Sequence, residues 1–293
     1  MSTSRPSVGY HILALVTIFV WGTTFASTKA LLRNGLTPPE IMFYRFIIAY
    51  ALTWLCSRKA WADTWADEFY LVLAGFMGGT LYFLSENTAL DYSITSNVAL
   101  IVCITPVLTM LLTSLCFRER LTRRLILGSL VALMGVGFVV LNGAVLKIHP
   151  LGDALALVAA LAWAVYSVVI RRFVGRYNTW FVTRKVFFYG IITMLPFIAC
   201  GMGGELHLDR LVLPEVWGNV LFLSVVASML CFYSWNLVLE KIGPIQASNY
   251  MYTQPIASLG CSVVLLGEPI TAIALSGMLL ILAGVYVTEH KRK

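Results

Sequence analysis

Charge is scarce in this sequence. Only 12% of its 293 residues are Asp, Glu, Lys or Arg, whereas 59% are hydrophobic. Soluble domains carry about 25% charged residues, so there is too little charge here to cover a globular surface. We therefore predict an integral membrane protein. The net charge of +7 is interpreted as a topology signal, and no nucleic-acid partner is expected.

Groupings typical of metal sites or enzymes are also missing. The six cysteines lie in or near apolar segments without the spacing of a metal or redox motif, so we interpret them as buried free thiols. The four histidines lie at the ends of apolar runs or between them, and neither HExxH nor GxSxG occurs. We predict no metal, no cofactor and no enzymatic activity. The first apolar run lacks a small-residue cleavage site and is interpreted as a helix that is retained.

Long apolar runs dominate what remains. A membrane-spanning helix needs about 20 mostly apolar residues. This rule predicts an all-α integral membrane fold of ten transmembrane helices, at residues 10–32, 38–57, 68–90, 93–117, 123–142, 151–173, 179–200, 214–238, 244–266 and 271–289. With a cytoplasmic N-terminus, fourteen Lys and Arg residues lie on the cytoplasmic side and four on the other. Both termini are therefore predicted to be cytoplasmic, in a multi-pass protein of the cell (cytoplasmic or inner) membrane.

The chain aligns with itself at an offset of 149 residues without a gap. The matched residues are Asn87 with Asn236, Pro106 with Pro255, Glu119 with Glu268, Gly128 with Gly277, and Gly135 with Gly284. Offsets of 142 and 140 place Trp21 on Trp163 and Arg45 on Lys185. We predict two five-helix repeats, residues 1–145 and 146–293. Because five is odd, the second repeat is inverted, an arrangement typical of secondary transporters; a duplicated scaffold of unrelated function is the alternative.

Three segments carry a family resemblance: VWGTTFASTKALL in the first helix, EIMFYRF in the second, and the block that begins TQPIASLG and includes Gly267 and Glu268. They resemble the drug/metabolite transporter superfamily, specifically its ten-helix EamA-type members, over essentially the whole chain as two EamA units. The first unit departs from the pattern, with Arg118 where the second unit has Gly267. The resemblance implies export of small metabolites, amino acids among them, and other members move nucleotide sugars or sugar phosphates.

Two repeat-related prolines, Pro106 and Pro255, lie in the middle of predicted spans. Proline removes a backbone hydrogen bond and kinks a helix, and membrane proteins tolerate such breaks where the freed groups face protein or a wet cavity. Polar neighbours favour a cavity-lining, substrate-binding role over simple packing; they are Asn97, Thr105, Tyr250 and Gln254.

Aromatic and acidic residues extend this candidate substrate site. Trp21 with Thr24, and Trp163 with Tyr166, hold repeat-related positions around mid-span, where a cavity wall and ordinary core packing are both open. Glu86 is the one acidic residue clearly inside a span. It could carry a coupling proton or hold a substrate ammonium group, and an ion pair at the mouth is the rival interpretation.

Four charged residues are predicted to close the two mouths alternately. Arg45 is assigned to Glu268 on the outer side, and Lys185 to Glu119 on the inner side. Snorkelling of the basic side chains towards headgroups is the alternative, and it is slightly favoured for Lys185.

Glycines spaced seven apart in the fifth and tenth helices predict close helix packing. They are Gly128, Gly135, Gly277 and Gly284. The packed pair could lie within one molecule or form a dimer seam, so monomer and homodimer both stay open.

The combined prediction is a secondary transporter that exports amino acids or similar amphiphilic or zwitterionic compounds by alternating access. Its expected partners are a small-molecule substrate, the lipid bilayer and, as one option, a coupling proton. The alternatives are a uniporter or exchanger of another class, such as a nucleotide sugar or a drug-like cation, and a channel. Direction, energy source and substrate identity do not follow from these residues.

Overall fold

The fold was analysed in a computed structural model that describes residues 8–93, 95–119, 121–140, 149–200, 207–257, 259–260 and 271–289. Within these residues every regular element is helical. Glu268 and the end of the predicted ninth span lie outside the described residues.

In the part of the first half that the structure describes there are seven α-helices. They are α1 (Val8–Arg33), α2 (Pro38–Cys56), α3 (Trp65–Gly75), α4 (Tyr82–Tyr92), α5 (Thr95–Val102), α6 (Thr105–Phe117) and α7 (Arg123–Val140). A π-helical segment, Phe76–Leu81, joins α3 to α4, so these two form one long helix.

The second half repeats this order. Its helices are α8 (Pro150–Ile170), α9 (Thr179–Ala199), α10 (Pro214–Leu221), α11 (Cys231–Ile242), α12 (Pro244–Asn249) and α13 (Ala272–Glu289). A π-helical segment, Phe222–Leu230, joins α10 to α11, and a 3₁₀ turn, Tyr250–Thr253, follows α12.

Local sequence explains where several helices begin and end. Pro38 takes the first turn of α2, where its missing N–H is not needed, and Thr37 and Glu40 cap that turn reciprocally. The side chain of Thr64 accepts a hydrogen bond from the backbone of Asp67 at the start of α3. Gly243, with a φ of +86°, ends α11 in a conformation that glycine adopts freely.

The helix interruptions occur at equivalent positions of the two repeats. A turn at Cys103–Ile104 separates α5 from α6 just before Pro106, and the 3₁₀ turn Tyr250–Thr253 ends two residues before Pro255. Offset by 149, Cys103 aligns with Tyr252 and Ile104 with Thr253. The predicted fourth span is therefore two helices, and the ninth begins as a short helix followed by the turn.

The surface of this molecule is apolar where that of a soluble protein would be polar. Large apolar side chains such as Leu127, Leu279 and Leu282 lie on the surface, whereas Thr105, Thr109 and Ser228 are fully buried. A lipid environment favours this distribution because lipid tails solvate apolar side chains and leave polar groups to find partners inside.

Six helical stretches of the described residues are long and apolar enough to cross a membrane, and two shorter apolar stretches, Val8–Thr24 and Ala272–Thr288, accompany them. The all-helical membrane fold agrees with the sequence analysis. The count of ten spans, to which α2 and the broken ninth helix would contribute, stays a prediction.

The predicted glycines lie where α7 packs on α13, in a contact within one molecule that we name the glycine seam. A Cβ on Gly135 would lie 2.6 Å from the carbonyl oxygen of Gly277, and a Cβ on Gly284 would lie 2.6 Å from that of Gly128. Rising residue numbers on α7 meet falling numbers on α13, so the two helices run antiparallel. Gly128 contacts Gly284, which is the repeat partner of Gly135, and Gly135 contacts Gly277, which is the repeat partner of Gly128. A twofold axis between the halves requires this reciprocal arrangement.

Candidate functional site

An aromatic cluster fills the space between the two halves. Trp21 of α1 lies 5.2 Å from Trp163, 5.7 Å from Phe232 and 5.4 Å from Trp235, measured between ring centroids, and Phe83 packs on Phe232 from the other side. These five residues are the central aromatic cluster. Trp21 also donates a hydrogen bond to the carbonyl of Ala227, at 2.9 Å, so that the first helix is tied to the second half.

A buried cation and a buried acid lie beside this cluster. Arg45 of α2 donates from Nε to Oγ of Ser228 at 2.8 Å, and its guanidinium lies 4.7 Å from the centroid of the Phe83 ring. Glu86 of α4 accepts a 2.7 Å hydrogen bond from the Tyr82 hydroxyl. Arg45 and Glu86 are therefore both placed beside the same turn of α4, which carries Tyr82 and Phe83.

A neutral hydrogen-bond chain lies on the other side of the cluster. The Tyr166 hydroxyl donates to Oδ1 of Asn236 at 2.5 Å, and Nδ2 of Asn236 donates to Thr183 at 2.9 Å. The Tyr166 ring lies flat against Gly78 in the π-helical segment, where a side chain would clash with it. π-Helical segments are frequent at functional sites.

Two indole N–H groups in the cluster have no hydrogen-bond partner among the described residues. They are Nε1 of Trp163 and Nε1 of Trp235, and both side chains are buried. An unsatisfied buried donor costs about 1–3 kcal/mol, so an acceptor placed in the cluster would be stabilised by either group.

The other predicted site residues are spread around this centre. Thr105 donates to the carbonyl of Val102 across the break between α5 and α6 and lies 3.5 Å from that of Ala160 in α8, whereas Thr24 donates to the carbonyl of Trp21 within α1. Tyr250 lies away from the cluster, 2.6 Å from Nδ1 of His11. Gln254 is half-buried beside Pro255, and Asn97 lies in α5 with its side chain outside the described residues.

One end of the bundle carries a dense charge network, which we name the Asp67 end. Asp67 is fully buried and accepts hydrogen bonds from Arg176, at 2.8 and 2.5 Å, and from Tyr177. Next to it, Glu68 pairs with Lys185 and accepts from Tyr189. Through these contacts α3 of the first half is held to α9 and to the loop after α8 in the second half.

Charge density at this end also changes proton affinity in the loop after α8. The hydrogen bond to Asp67 raises the pKa of Arg176 above its ordinary value. Arg171 nearby pairs with Glu119 at 2.5 Å.

The opposite end of the helices, which we name the Glu40 end, is joined by fewer charges in the described residues. Glu40 accepts from the backbone N–H of His207 at 2.6 Å and lies 3.1 Å from Nδ1 of the same histidine. Arg210 donates to the carbonyl of Asn34 at 2.5 Å. These contacts join the α1–α2 connection to the segment before α10.

The predicted charge partners need correction. Lys185 pairs with Glu68, and Glu119 pairs with Arg171, so the expected Glu119–Lys185 pair is wrong. Arg45 lies against the central aromatic cluster with Glu86, whereas its expected partner Glu268 is outside the described residues. The reason is that α3 brings Glu68 closer to Lys185 than the loop after α6 brings Glu119.

Sequence reasoning missed several residues that the fold brings to the centre and to the ends. They are Tyr82, Phe83, Phe232, Trp235, Asp67, Glu68, Glu40 and His207. The repeat could have identified one of them. Trp235 aligns with Glu86, so it occupies the position in the second half that is equivalent to that of a predicted site residue.

Comparisons with known proteins agree with this architecture. A structure in the collection of solved proteins superposes with a TM-score of 0.76 over 96% of each chain, and at 20% identity it supports the fold alone. Fold and comparisons together define a multi-pass helical membrane protein made of two similar units. The sequence profile of the EamA-like transporter family matches residues 9–141 and again residues 150–289, and the chain belongs to that family.

Curated relatives are similar over nearly their full length. An "Uncharacterized transporter" of Archaeoglobus fulgidus is 27% identical over 96% of this chain and 99% of its own. A "Probable amino-acid metabolite efflux pump" of Salmonella typhimurium is 26% identical over 94% and 93% of the two chains, and one of Escherichia coli is 23% identical over the same shares. The predicted resemblance to EamA-type transporters is thereby confirmed.

Proposed function

We propose that this protein is a secondary transporter that exports amino acids or similar zwitterionic metabolites by alternating access between two inverted five-helix units. The observation that carries the proposal is the reciprocal glycine seam, in which Gly128 meets Gly284 and Gly135 meets Gly277. Equivalent helices that run antiparallel are what inverted units produce, and inverted units can exchange roles on the two sides of a membrane.

The contacts between the units support a path through the centre. The central aromatic cluster, the Asp67 end and the Glu40 end all join residues of the first unit to residues of the second. A relative movement of the units would therefore open one end while the other stays closed. In this proposal the Asp67 and Glu40 networks are the two gates, and the ten spans carry both termini in the cytoplasm.

The substrate class comes from the relatives and from the chemistry of the centre. Two relatives are named as probable amino-acid metabolite efflux pumps. Buried aromatic rings, one buried cation and one buried acid suit a molecule with an apolar part and both charges. Glu86 among aromatic rings also suits a drug-like cation, which is the second candidate substrate class.

Proteoliposome counterflow tests the proposal. We expect saturable uptake of labelled amino acid that increases when unlabelled amino acid is present on the opposite side. Trp163→Ala should abolish this exchange, and Trp65→Ala is the matched control because Trp65 is 88% exposed on the surface. Flux that does not saturate would favour a channel, and exchange limited to cations without a carboxylate would favour the second substrate class.

A further inference from the structure

Arg45 differs from the other basic residues that lie inside helices. Arg184 is occupied by the carbonyls of Ser57 and Lys59, and Lys185 by the carboxylate of Glu68. Arg45 is equally buried, yet among the described residues its guanidinium makes one hydrogen bond, through Nε to Ser228. Its two terminal nitrogens therefore remain for an anion.

The surroundings of Arg45 suit a carboxylate from outside the chain. A guanidinium binds a carboxylate through two parallel hydrogen bonds, and removal of water from the centre strengthens such a bond. Trp163 and Trp235 hold buried N–H donors without partners in the same cluster. A carboxylate would satisfy donors that the protein leaves unsatisfied.

Glu86 supplies the opposite charge on α4, the helix whose Phe83 ring Arg45 contacts. It lies one turn beyond Phe83, the ring over which Arg45 sits, and its carboxylate is held by Tyr82. Arg45 and Glu86 carry opposite charges. A substrate that binds between them compensates both charges only if it has a negative group for Arg45 and a positive group for Glu86. An α-amino acid does so, since its carboxylate and ammonium are joined by one carbon.

We propose that Arg45 binds the carboxylate and Glu86 the ammonium group of an α-amino acid, with the side chain of the substrate packed on the central aromatic cluster. This assignment rests on the proposed function and makes it more specific. The second half has no equivalent pair of charges. Trp235 aligns with Glu86, and Lys185, which aligns with Arg45, lies at the Asp67 end.

Three related probes separate the two charges: L-phenylalanine, phenethylamine, which lacks the carboxylate, and 3-phenylpropanoate, which lacks the ammonium group. Binding is measured by thermal stabilisation of the purified protein and by competition in the counterflow assay. We expect phenylalanine to bind at least tenfold more tightly than either analogue.

Variants then assign each charge. Arg45→Gln should weaken phenylalanine and phenylpropanoate at least tenfold and leave phenethylamine within twofold, and Glu86→Gln should show the reverse pattern. Arg45→Lys should restore part of the binding and serves if Arg45→Gln does not fold. Arg184→Gln removes another buried guanidinium and should not change the order of the three probes.

Two outcomes would overturn the assignment, and they are distinguishable. Equal weakening of all three probes by both variants, in a protein that still exchanges amino acids, would leave the transporter in place and refute the roles of Arg45 and Glu86. Wild-type protein that neither binds nor exchanges any amino acid would refute the assignment together with the amino-acid substrate class.

Discussion

The two ends of the helix bundle are closed by different chemistry. At the Asp67 end, two buried carboxylates meet arginines, a lysine and two tyrosine hydroxyls. At the Glu40 end, the described contacts are one carboxylate with a histidine and one arginine with a backbone carbonyl. Glu68 and Lys185 are both buried, whereas His207, the partner of Glu40, is about a third exposed; a pair buried on both sides depends more strongly on each partner than a part-exposed one. The Asp67 end is therefore expected to be the harder of the two to open.

Lys185→Met should have the largest effect, because it leaves the Glu68 carboxylate buried without its cation. Removal of one partner of a buried pair costs about 3–5 kcal/mol. The double variant Glu68→Gln with Lys185→Met should lose less than Lys185→Met alone. Thermal unfolding of the purified variants measures both, and an additive double variant would contradict a coupled pair.

Asp67→Asn comes next, since it weakens the bonds from Arg176 and Tyr177 while the arginine itself stays part-exposed. Hydrogen bonds to charged groups contribute about 1.5–3 kcal/mol each, so we expect a loss of about 3 kcal/mol in the free energy of unfolding. Asp63→Asn is the control, because among the described residues the Asp63 side chain makes an exposed pair with Lys59 alone, and its backbone bond to Tyr177 is kept in the variant. Equal melting temperatures for the two variants would show that burial of Asp67 does not matter.

Gly135→Ala tests the glycine seam, the close contact between α7 and α13. The new Cβ would lie 2.6 Å from backbone atoms of Gly277 and Ile281, so α7 or α13 must shift. Overpacking of this kind costs about 1–3 kcal/mol. Gly137→Ala on the same helix meets no atom within 4 Å, so it should lower neither stability nor exchange, since alanine favours a helix more than glycine does. If both variants behave alike, the close contact is not required.

His207→Ala at the Glu40 end should have the smallest effect. The backbone N–H of residue 207 still bonds Glu40 in this variant, and the side chain is part-exposed. We expect at most about 1 kcal/mol in unfolding free energy, measured beside Lys185→Met in the same assay. A loss as large as that of Lys185→Met would reverse the ranking of the two ends.

Much of the architecture followed from periodicity and repetition, because both depend on local sequence. The membrane class came from scarce charge and long apolar runs, and the frame of 149 residues aligned the glycines of the seam and both helix interruptions. Contacts between residues that are far apart in the sequence could not be predicted in this way. Asp67 meets Arg176 across 109 positions, and no periodic pattern identifies such a partner.

The repeat also misled where the two halves differ. Arg45 and Lys185 align, which predicts similar partners, but Glu68 aligns with Trp217 and Glu86 with Trp235. Both acids therefore come from the first half, Glu68 from α3 and Glu86 from α4, and tryptophans stand at the equivalent positions of the second half. As a result Lys185 pairs with Glu68 at the Asp67 end, whereas Arg45 lies beside the central aromatic cluster.

The central claim is that the two ends open alternately. It is tested most directly by measuring how accessible one position at each end is to a water-soluble reagent. In a cysteine-free background that retains exchange, single cysteines would replace Ala62 at the Asp67 end or Leu36 at the Glu40 end, and their rates of labelling by a water-soluble thiol reagent would be measured. With Asp67→Asn, labelling should rise at position 62 and fall at position 36; with Glu40→Gln, the changes should be reversed. A rise at both positions in either variant, or a change at the nearer position alone, would contradict alternating access.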